Sequence, residues 1–436
     1  MNYRETIEYL YQALPMFSRV GDAAIKKDLT NTRKLCERLG NPHQNFKTIH
    51  IAGTNGKGSV SHILAAILQK SGYTTGLYTS PHLHDFRERI KVNGSMADEQ
   101  FVVDFTARVK PWIDEIQPSF FEITVAMAFE YFSKMRVDIA VIETGLGGRL
   151  DSTNIILPEL SVITNISMDH MHILGDSLAK IAVEKAGIIK DNIPVVIGES
   201  NEETMPVFLQ VAKEKNAALY MADHERYTDA YRHYEHEFDV TVVKLPGNEK
   251  QTFRLDLTGL YQAKNLLTVL SAVDRLREKG WLIPDDAMLL ALRSVKKLTG
   301  LHGRWELIHR NPAVVLDVGH NEDGIKQICM QIEAMDFHDL HIIIGMVKDK
   351  AIDPVLQLLP KEAKYYFTKA QIPRALPEDQ LATKAAFYGL HGHHYPNVNS
   401  ALQTALEHAA KNDLIIVCGS VFVVGEVDYG VVAVGK

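Results

Sequence analysis

At 436 residues the chain is too long for one small core, and two domains are the expectation. Hydrophobic residues at 46% and charged residues at 23% fit a soluble globular protein. A net charge of -7 argues against nucleic acid as a partner, which would need a basic face; an anionic small molecule in a local Lys/Arg cluster stays open.

In chain order, 46–53 reads as a strand, 58–72 as a helix and 74–80 as a second strand. A helix at 120–135 precedes apolar strand candidates at 138–145 and 160–167, then a helix at 177–190 and a strand at 193–199. Continuously apolar strands separated by helices indicate an α/β fold with a mostly parallel sheet covered on both faces. Residues 227–259 are rich in Thr, Val, Tyr and charge and read as antiparallel strands. Helices follow at 261–279 and from Pro284. A boundary falls in 296–304, dividing a first domain, 1–298, from a second, 299–436. In the second, strands are expected at 313–320, 340–347, 363–370 and 414–420, with helices at 322–335, 354–359, 377–388 and 400–411. That is a smaller, Rossmann-like α/β domain. His391–His394, "HGHH", lacks a spaced partner ligand and reads as an exposed loop rather than a metal site.

Cys36, Cys329 and Cys418 are far apart and form no Cys-x-x-Cys pair, so they read as buried thiols of a reducing compartment. The first ten residues contain Glu5 and no apolar core, unlike a signal peptide. No apolar run approaches the roughly 18 residues of a membrane span. The expected location is cytoplasmic, with no membrane partner.

"GTNGKGS" (53–59) departs from the usual G-x-x-x-x-G-K-[ST] spelling, with Gly58 after the lysine. Its context is nevertheless that of a phosphate cradle. A strand precedes it and a helix follows, so backbone N–H groups gather at a helix N-terminus. Gly53, Gly56 and Gly58 allow close approach, Lys57 supplies a mobile charge and Ser59 a hydroxyl. Thr54 and Asn55 complete the loop. Three further stretches end expected strands, where ligands bind in doubly wound sheets. They bring Ser80, Glu143 and His170 toward the loop. A hydroxyl and a carboxylate suit magnesium; the histidine suits a second cation. Lys185, beside apolar Ala186–Ile189, is either a helix-surface cation or a buried lysine.

The loop resembles the variant phosphate loop of folylpolyglutamate synthases, relatives of the muramyl peptide ligases, which usually carry Ser or Thr where this chain has Gly58. The other stretches are similar to the same family: "TSP" around Ser80, "ETGLGGRLD" from Glu143 to Asp151, "DH" at Asp169–His170, and "VEKAG" around Lys185. So are "GLYQAKN" ending at Asn265, "HGRWE" around Arg304, "LDVGHN" from Leu316 to Asn321, and "CGS" at Cys418–Ser420. The resemblance implies that Ser80 and Glu143 bind one magnesium, that His170 binds a second, and that Lys185 is carbamylated. It implies that Asn265, Arg304 and Asp317 contact ATP. Val318, Gly319 and Glu322 depart from the family's Gly, Ala and Pro and bear on fine specificity.

The implied activity is an ATP-dependent amide ligase adding L-glutamate through an acyl phosphate. Two magnesium ions would serve it, with room for a monovalent cation such as K+. His320 would orient the incoming glutamate, with Ser420 as a weaker candidate. The acceptors would be tetrahydrofolate and dihydropteroate, bound by Ser119, Phe120, Phe121 and Glu122 with Leu150, Asp151 and Ser152. A carboxylate can accept paired hydrogen bonds from a pterin edge; Asp151 also reads as an N-cap before Ser152. The alternatives are folylpolyglutamate synthesis alone, a muramyl-type peptide ligase, or a non-catalytic nucleotide module. A monomer is expected.

Overall fold

A computed structural model describes residues 1–16, 21, 28–234 and 236–434. It forms two compact units: Met1–Ser167 with Met171–Asp256 and Gln262–Leu301, and His302–Lys436 with Met168–His170 and Leu257–Tyr261.

The first unit is built on strands β1 (Lys47–Ala52), β2 (Thr75–Tyr78), β3 (Ile90–Val92), β4 (Ser95–Met96), β5 (Ile139–Glu143), β6 (Leu160–Ile163), β7 (Val195–Ile197) and β8 (Leu219–Met221). Their order is β4-β3-β2-β5-β1-β6-β7-β8, parallel from β2 to β8, with β3 and β4 antiparallel at one edge. All five residues of β5 and all four of β6 are buried. That is why these strands read as continuous apolar runs rather than alternating ones. The helix Lys57–Lys70 is buried from Gly58 to Leu68, so apolar residues surround it apart from the buried Ser59, Ser61 and His62. The same holds for much of the helix Phe120–Lys134.

Register fixes what meets at the carboxyl edge. Ile51 of β1 lies opposite Glu143, Ala52 opposite Ile163, and Tyr78 of β2 opposite Ile142. The loop after β1, the last residue of β5 and the segments after β2 and β6 therefore share one edge of the sheet. Strands β9 (Arg226–His233), β10 (Phe238–Lys244) and β11 (Glu249–Leu255) form the expected antiparallel sheet.

The second unit contains β12 (Glu306–Arg310), β13 (Ala313–Leu316), β14 (Leu340–Ile344), β15 (Lys364–Phe367), β16 (Gly392–His394) and β17 (Leu414–Cys418), in the order β12-β13-β17-β14-β15-β16. All pairs are parallel except β12 with β13. Both units are thus α/β, as the alternation of elements indicates. The "HGHH" stretch is not a loop: Gly392–His394 pairs with β15 as an edge strand, although it stays exposed. Backbone pairing to β15 supplied what three polar residues could not signal. The edge strands β4 and β12, β3 beside β4, and the helix Glu99–Ile116 with Pro111 inside it, were not expected either. The strands are too short or too mixed to show a period, and an internal Pro ordinarily marks a helix break.

Candidate active site at the carboxyl edge of the first sheet

Gly53 and Gly56 both adopt positive φ, +147° and +83°. A Cβ at Gly53 would collide with the Thr164 side chain, and one at Gly56 with the Asn265 amide oxygen. These two glycines are therefore required by close approach as well as by conformation. Gly56 is the N-cap residue of the helix Lys57–Lys70, without a side-chain cap, which leaves the helix-start amides to a ligand. The segment after β6 braces the loop. Thr54 N donates to Asn165 O at 2.9 Å, Asn55 N to Asn165 Oδ1 at 2.8 Å, and Thr164 Oγ1 to Asn55 O at 2.5 Å. Lys57 Nζ donates to the carbonyls of Gly53 and Thr54, at 3.0 and 3.1 Å.

Ser59 is buried and accepts a hydrogen bond from Gln262 Nε2 at 3.1 Å; Gln262 Oε1 in turn accepts from Asn265 Nδ2 at 2.8 Å. Both amides stand at the start of the helix Gln262–Glu278, three residues apart, so one helical face presents them together. Sequence reasoning singled out Asn265 and missed Gln262. The spacing within "GLYQAKN" was the available signal.

Lys185 is buried, and its Nζ donates to Gly53 O at 2.7 Å. Of its two sequence readings, the buried one describes the structure. Glu143, the last residue of β5, is also buried, and its Oε2 accepts from Ser80 N at 3.4 Å.

The segment Ser119–Glu122 forms a capping box. Glu122 N donates to Ser119 Oγ at 3.2 Å, and Ser119 N to Glu122 Oε2 at 2.7 Å. Phe120 is buried; the Phe121 ring occupies the space a Cβ at Gly145 would need, so this segment and the loop after β5 are in contact. Asp151 caps the short turn Ser152–Ile155. Its Oδ1 accepts from Thr153 N at 3.0 Å and Thr153 Oγ1 at 2.5 Å, and its Oδ2 from Leu146 N at 2.8 Å. Burial raises its pKa against the lowering effect of these bonds. Leu150 and Ser152 flank it, half-buried. The carboxylate thus holds the loop's shape, and a paired grip on a ligand would require exchanging loop bonds.

In the second unit, Asp169 gathers several partners. It pairs with Lys350, and its Oδ2 meets His320 Nε2 at 3.3 Å and Asn321 Nδ2 at 3.2 Å. Burial pushes its pKa up, but the His320 hydrogen bond and the charges of His320, Lys350 and His170 hold it well below the usual carboxylate range. His170, at φ +49°, receives a hydrogen bond on Nε2 from Lys350 Nζ at 3.1 Å. Asp317 is buried and accepts from Tyr261 Oη at 2.7 Å, Trp305 N at 2.9 Å and Gly319 N at 2.8 Å. A Cβ at Gly319 would lie 2.7 Å from Ile328 Cδ1, so isoleucine takes the room an alanine would use. Arg304 donates to Gly303 O at 3.3 Å. Ser420 is the N-cap of the helix Val421–Gly425, and its Oγ accepts from Phe422 N at 3.2 Å. Sequence reasoning passed over Asp169 and Lys350, although Asp169 adjoins the histidine it singled out.

The family model of the Mur ligase middle domain matches residues 51–273, and that of the Mur ligase glutamate ligase domain matches 303–421. The dihydrofolate synthase/folylpolyglutamate synthase of Bacillus subtilis is 32% identical over 424 residues, covering 92% of this chain and 94% of its own. The chain belongs to the folylpolyglutamate synthase/dihydrofolate synthase family of Mur ligases. A Haloferax volcanii relative, named "Probable bifunctional folylpolyglutamate synthase/dihydropteroate synthase", is 33% identical over 439 residues; the match takes in 98% of this chain but only 50% of that one. Among solved structures, Escherichia coli FolC in complex with DHPP and ADP superposes with a TM-score of 0.83 at 28% identity, covering 98% of this chain and 96% of that one. The bifunctional folylpolyglutamate synthase/dihydrofolate synthase of Yersinia pestis, complexed with AMPPNP and Mn ion, does so at 0.81 and 26%, covering 98% and 97%. As a Mur ligase this protein is an ATP-dependent ligase that uses a divalent metal.

The residues present can be tested against that metal. Ser80 and Glu143 offer only oxygen donors, on neighbouring strand ends beside the phosphate loop, which fits a hard divalent cation. His170 fits only if Lys350 gives up its hydrogen bond to Nε2. Among the described residues, His338, Asp339 and Asp413 also cluster, on the second unit, where Lys364 already pairs with Asp339 at 2.7 Å. No helix among them is long and apolar enough to cross a membrane.

Proposed function

We propose that this Mur ligase adds L-glutamate to dihydropteroate and to tetrahydrofolate, and that the carboxyl edge of the first sheet carries the phosphoryl-transfer step. The observation that supports it most is the phosphate loop, with Lys57 and Lys185 on one side and the Ser80–Glu143 pair on the neighbouring strands. A carboxylate cannot be attacked by an amine directly, because oxide would have to leave. An acceptor carboxylate oxygen therefore attacks the γ-phosphorus of ATP, and the bond to the β-phosphate oxygen breaks with its electron pair leaving on ADP. The glutamate amine then attacks the acyl carbon, the tetrahedral intermediate expels phosphate, and the amine loses its proton to solvent.

The chain's contribution is positioning and charge. The helix-start amides from Gly56 to Ser59 hold the phosphates, Lys57 neutralises the outer ones, and Asn265 contacts ATP. Ser80 and Glu143 would hold a divalent cation, which offsets β/γ-phosphate charge when bound. His170 would serve a second cation with Lys185 carbamylated, and K+ is an accessory. Arg304 and Asp317 act on the nucleotide, His320 and Ser420 on the incoming glutamate. The segments Ser119–Glu122 and Leu150–Ser152 shape the acceptor site. The protein works as a cytoplasmic monomer.

The test is ADP release, with dihydropteroate and tetrahydrofolate assayed side by side. Glutamate-dependent release with both acceptors is expected. Release with neither, or with a uridine-linked muramyl precursor instead, would overturn the reading.

A further inference from the structure

Arg89 closes the short helical turn Phe86–Arg89, just before β3. Only 8% of it is exposed. A guanidinium cannot shed its charge in a protein. Yet among the described residues no carboxylate forms an ion pair with it. Its Nε donates to His82 Nδ1 at 2.7 Å, and its guanidinium carbon lies 5.5 Å from the Phe120 ring centroid. Neither is an anion: His82 Nδ1 accepts the bond and so carries no proton on that nitrogen, and the Phe120 ring is apolar. A buried cation faced by neutral groups is a costly arrangement unless a counter-charge arrives.

The carboxylate whose field acts on Arg89 is that of Glu143. On the functional reading above, Glu143 gives its charge to a divalent cation, so Arg89 then has no protein counter-ion left. Phe120, over which the guanidinium lies, opens the segment assigned to the acceptor. An anion brought by the acceptor would therefore meet Arg89 next to both the acceptor segment and the metal carboxylate.

We infer that Arg89 binds the reacting carboxylate of the acceptor, holding one oxygen while the other attacks the γ-phosphorus. The inference rests on the proposed ligase function. Dihydropteroate has a single carboxylate, the one that reacts, whereas tetrahydrofolate also carries a non-reacting one. The two acceptors therefore separate the possible roles. Part of the guanidinium's stabilisation comes from packing, so its loss is read against ATP as an internal control.

The experiment uses the full chain with Arg89→Met and Arg89→Lys, measuring KM for dihydropteroate, tetrahydrofolate and ATP, with thermal unfolding alongside. Both acceptor KM values should rise roughly ten- to a hundredfold in the Met variant, while the ATP KM stays within about twofold. The Lys variant, which keeps charge but loses the fork, should fall between; it carries the test if the Met variant does not fold. A rise for tetrahydrofolate alone would overturn the inference, as would a rise for ATP instead or unchanged acceptor KM values. Failure of the underlying function would look different, because the unsubstituted protein would then ligate neither acceptor.

Discussion

Lys57 and Lys185 share one acceptor: both ammonium groups donate to the carbonyl of Gly53, at 3.0 and 2.7 Å. Carbamylation of Lys185, as proposed, would end its bond to that carbonyl and leave Lys57 as the loop's cation. Lys57 is the half-buried member and Lys185 the buried one. Lys57→Ala should therefore unfold at nearly the same temperature while kcat/KM for ATP falls. Losing one charge-assisted hydrogen bond costs about 1.5–3 kcal/mol, or roughly ten- to a hundredfold. Near-normal turnover in a folded variant would remove Lys57 from the phosphate site.

Glu143→Gln keeps the shape of the β5 terminus and removes its charge. Acceptor binding should persist, followed by equilibrium titration, while adduct formation drops by at least about a hundredfold at saturating ATP. Raised magnesium should recover part of the rate. Unchanged turnover at ordinary magnesium would make Glu143 a structural acid.

Gln262 links Ser59 and Asn265, and a double-mutant cycle can read that link. Ser59→Ala and Gln262→Met are each expected to lower kcat. If Gln262 acts by fixing the Ser59 hydroxyl, the double variant should lose little more than Ser59→Ala alone. A coupling energy above about 0.5 kcal/mol marks the interaction. Losses that simply multiply would show that the two residues act apart.

The large sheet was legible because its strands are buried on both faces, so Ile139–Glu143 and Leu160–Ile163 needed no period to be recognised. The phosphate loop was legible because its glycines answer a local demand: positive φ at Gly53 and Gly56 with no room for a Cβ. Roles set by contacts distant in sequence were hidden. Gln262 reaches Ser59 across 203 positions and Lys350 reaches Asp169 across 181; the spacing to Asn265 marks the helix face of Gln262 but not its partner, and nothing near Lys350 marks Asp169. The capping reading of Asp151 holds at the turn Ser152–Ile155, but the sequence did not show how fully its loop engages it, nor that Tyr261 and Trp305 occupy Asp317.

His50 sets a pH dependence of stability. It is fully buried on β1, and burial, followed by the charge of Lys190, lowers its pKa to about 3. The folded state therefore holds it neutral while an unfolded chain protonates it below about pH 6.5. Unfolded protein binds more protons between those limits, so stability rises with pH in that window and is lost as pH falls from about 6.5 toward 3. Above the window the group contributes no slope. His50→Gln should lose stability near neutral pH, through its contact with Thr153, but show a shallower decline on acidification. Urea unfolding at about pH 7.5 and about pH 5 reads both effects. An unchanged slope would assign the acid sensitivity elsewhere, for instance to His82, also lowered to about 3 by burial.

Asp151 lies at the end of the same chain of contacts: His50 Nε2 meets Thr153 Oγ1 at 2.8 Å, and Thr153 Oγ1 donates to Asp151 Oδ1 at 2.5 Å. Two donors on Oδ1 use both of its lone pairs, and Leu146 N takes one on Oδ2. A carboxylate so engaged sets the loop from Gly145 to Thr153 before any ligand arrives. Asp151→Asn preserves size but turns one acceptor into a donor, which would face Leu146 N or the Thr153 donors. Two like groups cannot share that geometry, and the loop should shift under Phe121, which packs on Gly145. Ligation of dihydropteroate and of tetrahydrofolate should then fall together, within about threefold of each other, with a drop in unfolding temperature; an unsatisfied buried donor costs about 1–3 kcal/mol. If dihydropteroate ligation instead fell tenfold further than tetrahydrofolate ligation, with stability unchanged, the carboxylate would be contacting the pterin itself and the loop-shaping account would fail.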